Sequence, residues 1–347
     1  MLFVRASSPH LQPINSVALV MRRVMLALIP GVAACLWLFG WGVLVNLALA
    51  TATALTAEAV MLRLRGRPLG LFLSDGSAVV TALLLALALP ALAPWWLTVL
   101  ATGFAVVVAK HLYGGLGYNP FNPAMVGYVV ALISFPLPMT LWVTPDAAVH
   151  LDLLQTLAYQ LRGVLPGDLS VDAVTAATPL DAIKTQIELR RTLSEIREGG
   201  GAFGAFGGVG WEWAGLAFLA GGLWLLYKGV IHWHIPAGML GGLAGMALLF
   251  YLFDSDTYAS PMLHLFSGGA MLGAFFIATD PVTASTTDRG RLIYGAGIGV
   301  LTYLIRTWGG YPDGVAFAVL LMNMAAPTID HYTQPRVFGA PGDRRGG

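Results

Sequence analysis

The sequence predicts an all-α polytopic membrane protein with about ten transmembrane helices. The chain has 347 residues, of which 57% are hydrophobic and only 11% are charged, and its mean hydropathy is +0.73. Ordinary soluble domains carry about 25% charged residues. Apolar runs close to the roughly 20 residues that cross a bilayer recur along the chain. The net charge of +1 implies no nucleic-acid partner and a lipid bilayer as the main environment.

The ten predicted spans form two groups of five, separated by one long polar stretch. The first group lies in a unit of residues 1–142, with spans at 24–40, 43–62, 76–92, 95–112 and 121–142. The second group lies in a unit of residues 211–347, with spans at 211–228, 235–253, 262–279, 291–306 and 314–330. Residues 143–210 between them are named the outer loop. Its glycine-rich end, GAFGAFGGVG at 201–210, is predicted to be a flexible linker.

The two groups of spans echo each other. Residues 73–78 (LSDGSA) resemble residues 266–270 (FSGGA), and an aromatic-Gly-Gly triplet follows each some 40 positions later, at 113–115 and 308–310. Because five spans per unit is an odd number, the units are predicted to be inverted repeats. Inverted repeats with Gly- or Pro-broken spans are typical of transporters. One hypothesis is therefore a solute channel or transporter with no redox role.

The distribution of basic residues predicts the orientation. With the N-terminus inside, 13 of the 19 Lys and Arg residues lie on the inner side. They are Arg5, Arg22, Arg23, Arg63, Arg65, Arg67, Lys110, Lys228, Arg289, Arg291, Arg336, Arg344 and Arg345. Positive residues in short loops favour the cytoplasmic side, whereas long loops carry little information. The termini are thus predicted to be cytoplasmic and the outer loop to be periplasmic.

The outer loop contains the heptad DAVTAAT at residues 172–178, followed by Pro179. Thr is a good helix N-cap and Pro is favoured at the first helical position. Asp181, three residues after Thr178, fits a capping box. Thr178 is therefore predicted at a helix N-terminus, where free N–H groups and the helix dipole attract a phosphate. The alternative is an ordinary capped surface helix.

The heptad also resembles the flavinylation motif D-x-x-[ST]-x-A-T. Further stretches carry a resemblance from about residue 20 to 337: GYNPFNPA at 117–124, ATDPVTAS at 278–285, WGGYPDG at 308–314 and NMAAP at 323–327, before Asp330-His331. Together they are similar to the family that unites the D-type subunits of Rnf electron-transport complexes with the B-type subunits of sodium-pumping NADH:quinone reductases. That reductase commonly has S-G-A-T in the heptad, and tends to have glutamate in place of Asp313.

The resemblance implies two flavins. Thr178 would carry FMN through a phosphoester, and a flavin transferase would read Asp172, Thr175 and Ala177. A second, non-covalent flavin, riboflavin or FMN, would lie in the membrane part near Asn119 and Asn122. Asn offers both donors and acceptors, although these amides could instead cap the helix that follows.

The function implied is that of a flavoprotein subunit in the inner membrane of a bacterium. It would pass electrons between flavins, within a complex that exchanges them between NADH and ferredoxin and moves Na⁺ or H⁺. Cys35 is the only cysteine in the sequence, so this chain alone cannot supply the four ligands of an iron–sulfur cluster. Membrane, flavin and iron–sulfur partner subunits are therefore expected.

Three carboxylates are candidates for an ion path. Glu58 lies in an apolar span, where an ionisable side chain is costly and often functional. It could instead pair with a threonine of its own helix (Thr51, Thr53 or Thr56) or contact another protein of the complex. Asp280 and Asp313 lie at span ends, where capping, flavin contact and ion coordination are all compatible with the sequence.

Overall fold

The computed structural model describes residues 16–145, 151–167, 169–201, 203–311 and 313–335. Within these residues the first half is helical: α1 (Val17–Phe39), α2 (Gly42–Leu64), α3 (Leu69–Leu73), α4 (Ser77–Ala88), α5 (Trp95–Phe104, continued by π-helical turns over Ala105–His111), α6 (Pro123–Ser134) and α7 (Pro136–Thr140). Of the basic residues predicted to lie inside, Arg5, Arg336, Arg344 and Arg345 fall outside the described residues.

The outer loop folds into short elements. They are β1 (Trp142–Val143), α8 (Leu153–Arg162), a 3₁₀ turn (Val171–Ala173), β2 (Thr175–Ala176), α9 (Pro179–Glu188) and α10 (Leu193–Gly199). The second half follows with α11 (Trp211–Tyr227), α12 (His234–Phe253), α13 (Pro261–Leu265), α14 (Ala270–Leu272, continued by π-helical turns over Gly273–Ile277), α15 (Asp288–Trp308) and α16 (Val315–Thr333).

Three predicted spans are shorter or more broken than the sequence predicts, and proline or glycine explains each case. Helix α4 ends at Ala88 because the residue before Pro90 disfavours helical geometry. The same effect at Pro136 separates α6 from α7. Between α13 and α14, residues 266–269 form the helix break, where Gly268 takes a left-handed φ of +62°.

The two halves pack against each other along matching helices. Helix α1 lies against α11, and α6 lies against α16. One large apolar core runs through both halves, with Leu28, Leu85, Met239 and Ile298 fully buried in it. By length and composition, α1, α2 and α12 are long and apolar enough to cross a membrane. That all ten spans cross, as inverted repeats, stays a prediction.

The helices of the outer loop dock on different halves. Gln160 of α8 is buried and donates from Nε2 to Asn46 Oδ1 at 3.2 Å and to the Ala91 carbonyl at 2.8 Å, both in the first half. Helix α9 lies on the second half, where Lys184 Nζ donates to the Gly309 carbonyl. A small apolar cluster completes that contact: Ile183, Leu193, Ile196, Ala259 and Leu263. The heptad lies between these two docking points.

Candidate functional site

Thr178 lies at the N-terminus of α9, as the sequence predicts. Its backbone is extended, and its Oγ1 accepts a hydrogen bond from the Asp181 N–H at 3.2 Å. Pro179 occupies the first turn, where a missing N–H leaves no helical bond unmade. The full capping box forms at α8 and α10 but not at α9. Aspartate is one methylene shorter than the glutamate or glutamine that closes such a box.

The rest of the heptad divides into a buried anchor and an exposed edge. Thr175 is paired with Val143 in the short antiparallel β1–β2 ladder. It is 6% exposed, and its hydroxyl donates to the Val171 carbonyl at 2.9 Å. Asp172 and Ala177 are exposed. Thr175 therefore fixes the heptad to the strand at the start of the outer loop, while Asp172 and Ala177 stay accessible to another protein.

The turn at Thr178 packs directly against the helix break. The Gly208 N–H donates to Ser267 Oγ at 2.8 Å, and a Cβ on Gly208 would lie 2.7 Å from Pro179 Cβ. A Cβ on Gly268 would lie 3.0 Å from Leu180 Cδ1. The absence of side chains at these glycines thus permits the start of α9 to reach the broken helix.

An ion pair between a buried arginine and a half-buried aspartate holds the helix break in place. Arg306 Nη2 lies 3.1 Å from Asp313 Oδ1, with the side chains 1% and 23% exposed. The same guanidinium donates to the carbonyls of His264 and Ser267, on both sides of the point where α13 ends. Asp313 Oδ2 accepts the Gly269 N–H at 2.7 Å. Arginine suits this position because its planar fork can serve several acceptors at once.

A cavity opens beside Thr178 and extends between the two halves. It contains about 1200 Å³ of space free of atoms, part of it open to solvent. Thr178, Asp181 and Asp313 lie at its polar end, and Cys35 lies among the apolar residues that line the rest. Burial raises the pKa of the Asp181 carboxyl, an effect that Lys184 partly offsets and Glu188 reinforces.

Aromatic rings line the cavity near the heptad. The ring centroids of Phe39 and Trp211 are 5.0 Å apart, and those of Trp142 and Trp211 are 4.9 Å apart. Pockets for small molecules are mainly lined by apolar and aromatic side chains. A planar ring system tethered at Thr178 fits this lining, with its phosphate at the N-terminus of α9. The residues present thus fit FMN.

Within the glycine-rich stretch predicted to be a flexible linker, residues 204–207 are folded around Glu212. The buried carboxylate accepts backbone N–H groups from Ala205, Phe206 and Gly207 at 2.9–3.0 Å. A Cβ on Gly204 would lie 2.5 Å from Glu212 Oε1. The sequence did not predict this contact. An acidic residue at the start of an apolar span does not indicate which backbone N–H groups will donate hydrogen bonds to it.

Asn119 and Asn122 differ in how their amides are used. Asn122 is the N-cap of α6: its Oδ1 accepts the Met125 N–H at 3.2 Å. Its backbone N–H donates to Asn323 Oδ1 at 3.0 Å, which joins the two halves. Asn119 donates from Nδ2 to the Phe121 carbonyl, and its buried Oδ1 has no protein partner among the described residues. Of the two residues, Asn119 therefore has a side-chain oxygen that can accept a further hydrogen bond.

Glu58 has basic partners that the sequence did not identify. Its carboxylate accepts from Lys110 Nζ at 2.8 Å and lies 3.1 Å from His111 Nε2, and all three side chains are buried. Lys110 Nζ also donates to Ser77 Oγ at 2.8 Å. Pairing of Glu58 with a threonine of its own helix is not seen in the described residues. Thr56 Oγ1 instead donates to the Ala52 carbonyl.

Asp280 stabilises the turn after the π-helical segment of α14. Its Oδ1 accepts the Val282 N–H at 3.1 Å and its Oδ2 accepts the Thr283 hydroxyl at 3.2 Å. Asp313 similarly accepts the Val315 N–H at the start of α16, at 3.2 Å. Both positions thus have the capping contacts compatible with the sequence. Arg306, Ser267 and Glu212 are the site residues that sequence reasoning did not select as functional.

The fold and the cavity define a helical membrane protein with a candidate binding site at the edge of its outer loop. Residues 4–339 match the model of the NQR2, RnfD, RnfE family, so the chain belongs to that family of membrane proteins. Similar proteins are named as the D subunit of an ion-translocating oxidoreductase complex. One from Pseudomonas aeruginosa (strain UCBPP-PA14) is 57% identical over 343 residues, covering 99% of this chain and 97% of the relative.

Further relatives of the same name come from other bacteria. The protein of Ectopseudomonas mendocina (strain ymp) is 56% identical over 338 residues, covering 96% of this chain and 95% of the relative. That of Escherichia fergusonii is 53% identical over 348 residues, covering 98% and 99%. The family expected from the heptad and the asparagine-proline stretches is therefore confirmed.

Proposed function

We propose that this chain is the D-type subunit of an ion-translocating oxidoreductase complex and carries FMN on Thr178. The observation that supports this best is the aromatic-lined cavity at the N-cap of α9, in a chain whose relatives at 53–57% identity bear that subunit name. A bound flavin would supply one- and two-electron chemistry, and the protein would supply binding, orientation and electrostatics.

The residues around Thr178 would bind and shield that group. The amides of the first turn of α9 would bind the phosphate, and the helix dipole would favour its charge. The rings of Phe39, Trp142 and Trp211 would cover the flavin ring and exclude water. Asp172 and Ala177, both exposed, would be recognised by a flavin transferase.

Thr178→Ala tests the attachment site. The variant should insert into membranes but lack flavin fluorescence in the denatured, gel-separated chain. Thr175→Ala is the matched control, because its hydroxyl would be recognised rather than modified, and it should lose less flavin. Covalent fluorescence that persists in Thr178→Ala would overturn the assignment, and a wild-type chain without it would favour the solute-transporter hypothesis.

We further propose that the halves are inverted repeats and that the outer loop is periplasmic. The repeat is supported by a local match: α3 and α13 are each followed by a left-handed glycine, Gly76 and Gly268, and then by another helix. Ser194 is exposed, so a cysteine placed there should react with a membrane-impermeant thiol reagent in intact cells. The wild-type chain, with only the buried Cys35, is the control. Labelling only after lysis would reverse the orientation.

A second, non-covalent flavin is proposed at Asn119, whose Oδ1 is the unused acceptor near the start of α6. Asn119→Ala should lower the flavin that denaturation extracts from the complex and leave FMN on Thr178 unchanged. Asn122→Ser, which can still cap α6, should retain more of it. If an intact Asn119→Ala complex contains as much extractable flavin as the wild-type complex, both amides have a structural role.

For the ion path we retain Glu58, Asp280 and Asp313 as proposed residues. Asp280 is the strongest of the three, because its carboxylate has no basic partner among the described residues, whereas Lys110 neutralises Glu58 and Arg306 neutralises Asp313. Asp280→Asn should reduce Na⁺ or H⁺ transport by the assembled complex while electron transfer continues. Unchanged coupling in that variant would remove Asp280 from the path.

A further inference from the structure

The Arg306–Asp313 pair lies beside the cavity in which the flavin of Thr178 is proposed to bind. Asp313, Gly268 and Gly269 line that cavity together with Thr178. Arg306 lies directly behind them, since a Cβ on Gly268 would be 2.4 Å from Asp313 Oδ2 and 3.2 Å from Arg306 Nη2. The charges of the pair therefore lie next to any group that fills the polar end of the cavity.

The pair is arranged so that its two charges are held differently. Arg306 is 1% exposed and donates to two backbone carbonyls, bonds that do not involve Asp313. Asp313 is 23% exposed and faces the cavity. Each charge is thus fixed in position, and a buried or partly buried charge is screened much less by salt than one on the surface.

We propose that this ion pair sets the reduction potential of the flavin carried on Thr178, with Asp313 and Arg306 acting as positioning and electrostatic residues. The inference rests on the proposed function. Reduction adds negative charge to the flavin ring, so a nearby positive charge favours it and a nearby negative charge opposes it. In the intact pair the two effects largely cancel. Removal of one member leaves the other uncompensated.

The prediction is a pair of shifts with opposite signs. Asp313→Asn leaves Arg306 unpaired and should raise the midpoint potential. Arg306→Gln leaves Asp313 unpaired and should lower it, and the double variant should return towards the wild-type value. Asp313→Glu keeps the charge and should leave the potential nearly unchanged. A purely structural role would not produce shifts that follow the sign of the remaining charge.

The experiment uses the full-length chain, produced together with a flavin transferase and purified in detergent. Each variant is titrated with dithionite in the presence of redox mediators, and the flavin absorbance gives the midpoint. Fluorescence on a denaturing gel first establishes that covalent flavin is present; its absence from the wild-type chain would refute the proposed function. With flavin present, an unchanged midpoint in Asp313→Asn, or equal shifts in Asp313→Asn and Asp313→Glu, would overturn this inference even if Arg306→Gln fails to fold.

Discussion

Among the described residues, each half of the molecule contains one buried lysine or arginine, shortly before a Gly-Gly turn, and the two are used differently. In the first half Lys110 bonds both oxygens of Glu58 and the hydroxyl of Ser77. In the second half Arg306 bonds Asp313 and two backbone carbonyls. The first cluster joins side chains within the helical core. The second fixes the backbone of a broken helix next to the cavity.

This contrast shows how similar sequence segments can serve different purposes. Lysine is a compact charge that can be neutralised by one carboxylate, whereas the arginine fork also satisfies carbonyls that a broken helix leaves free. Lys110 and Glu58 are 2% and 3% exposed, so neither tolerates the loss of the other. Asp313 is partly exposed, so the second cluster can lose its carboxylate at lower cost.

The largest expected effect is therefore in the first half. Glu58→Gln leaves Lys110 buried without its counter-charge and should cost about 3–5 kcal/mol of stability. Asp313→Asn should cost about 1–2 kcal/mol, because Arg306 keeps its carbonyl partners and Asn can still accept a hydrogen bond. Thermal unfolding in detergent measures both. Adding Lys110→Met to Glu58→Gln should recover most of the lost stability. No recovery would show that the unpaired charge of Lys110 is not the cause of the loss.

A smaller effect is expected where the outer loop docks. Gln160→Ala removes a buried donor from Asn46 and the Ala91 carbonyl and should cost about 1–3 kcal/mol. Lys184→Met removes a bond to Gly309 that is only partly buried and should cost about 0.5–1.5 kcal/mol. Limited proteolysis should thus cleave near α8 in Gln160→Ala more readily than near α9 in Lys184→Met. The reverse order would show that Lys184 contributes more to the docking of the loop than Gln160.

The smallest effect is a pH dependence confined to the α9 side. Burial raises the pKa of Asp181 above its ordinary value of 3.8, so the folded state holds the proton more tightly than the unfolded chain. The resulting stability is fully present below pH 3.8 and is lost as pH rises through the raised pKa. Asp181→Asn should remove this slope from the pH profile of unfolding. Identical profiles for variant and wild type would contradict it.

Local sequence patterns predicted much of this architecture, but they could not predict contacts between segments that are distant in the sequence. The apolar runs located the helices, and Thr178-Pro179 predicted the start of α9. The interruptions at Pro136 and within residues 266–269 were missed in part, because apolar composition continues across them. The partners of Glu58 lie 52 and 53 positions away, and a buried charge does not reveal its partner without the fold.

The segment folded around Glu212 has a consequence for amide hydrogen exchange. Glycine content usually suggests backbone that exchanges rapidly with solvent, yet the amides of Ala205, Phe206 and Gly207 each donate to a buried carboxylate. Exchange there requires the carboxylate to release its amides, at the cost of a buried, unsatisfied charge. These three amides should exchange on the slow timescale of the α11 backbone, although no helix or strand contains them.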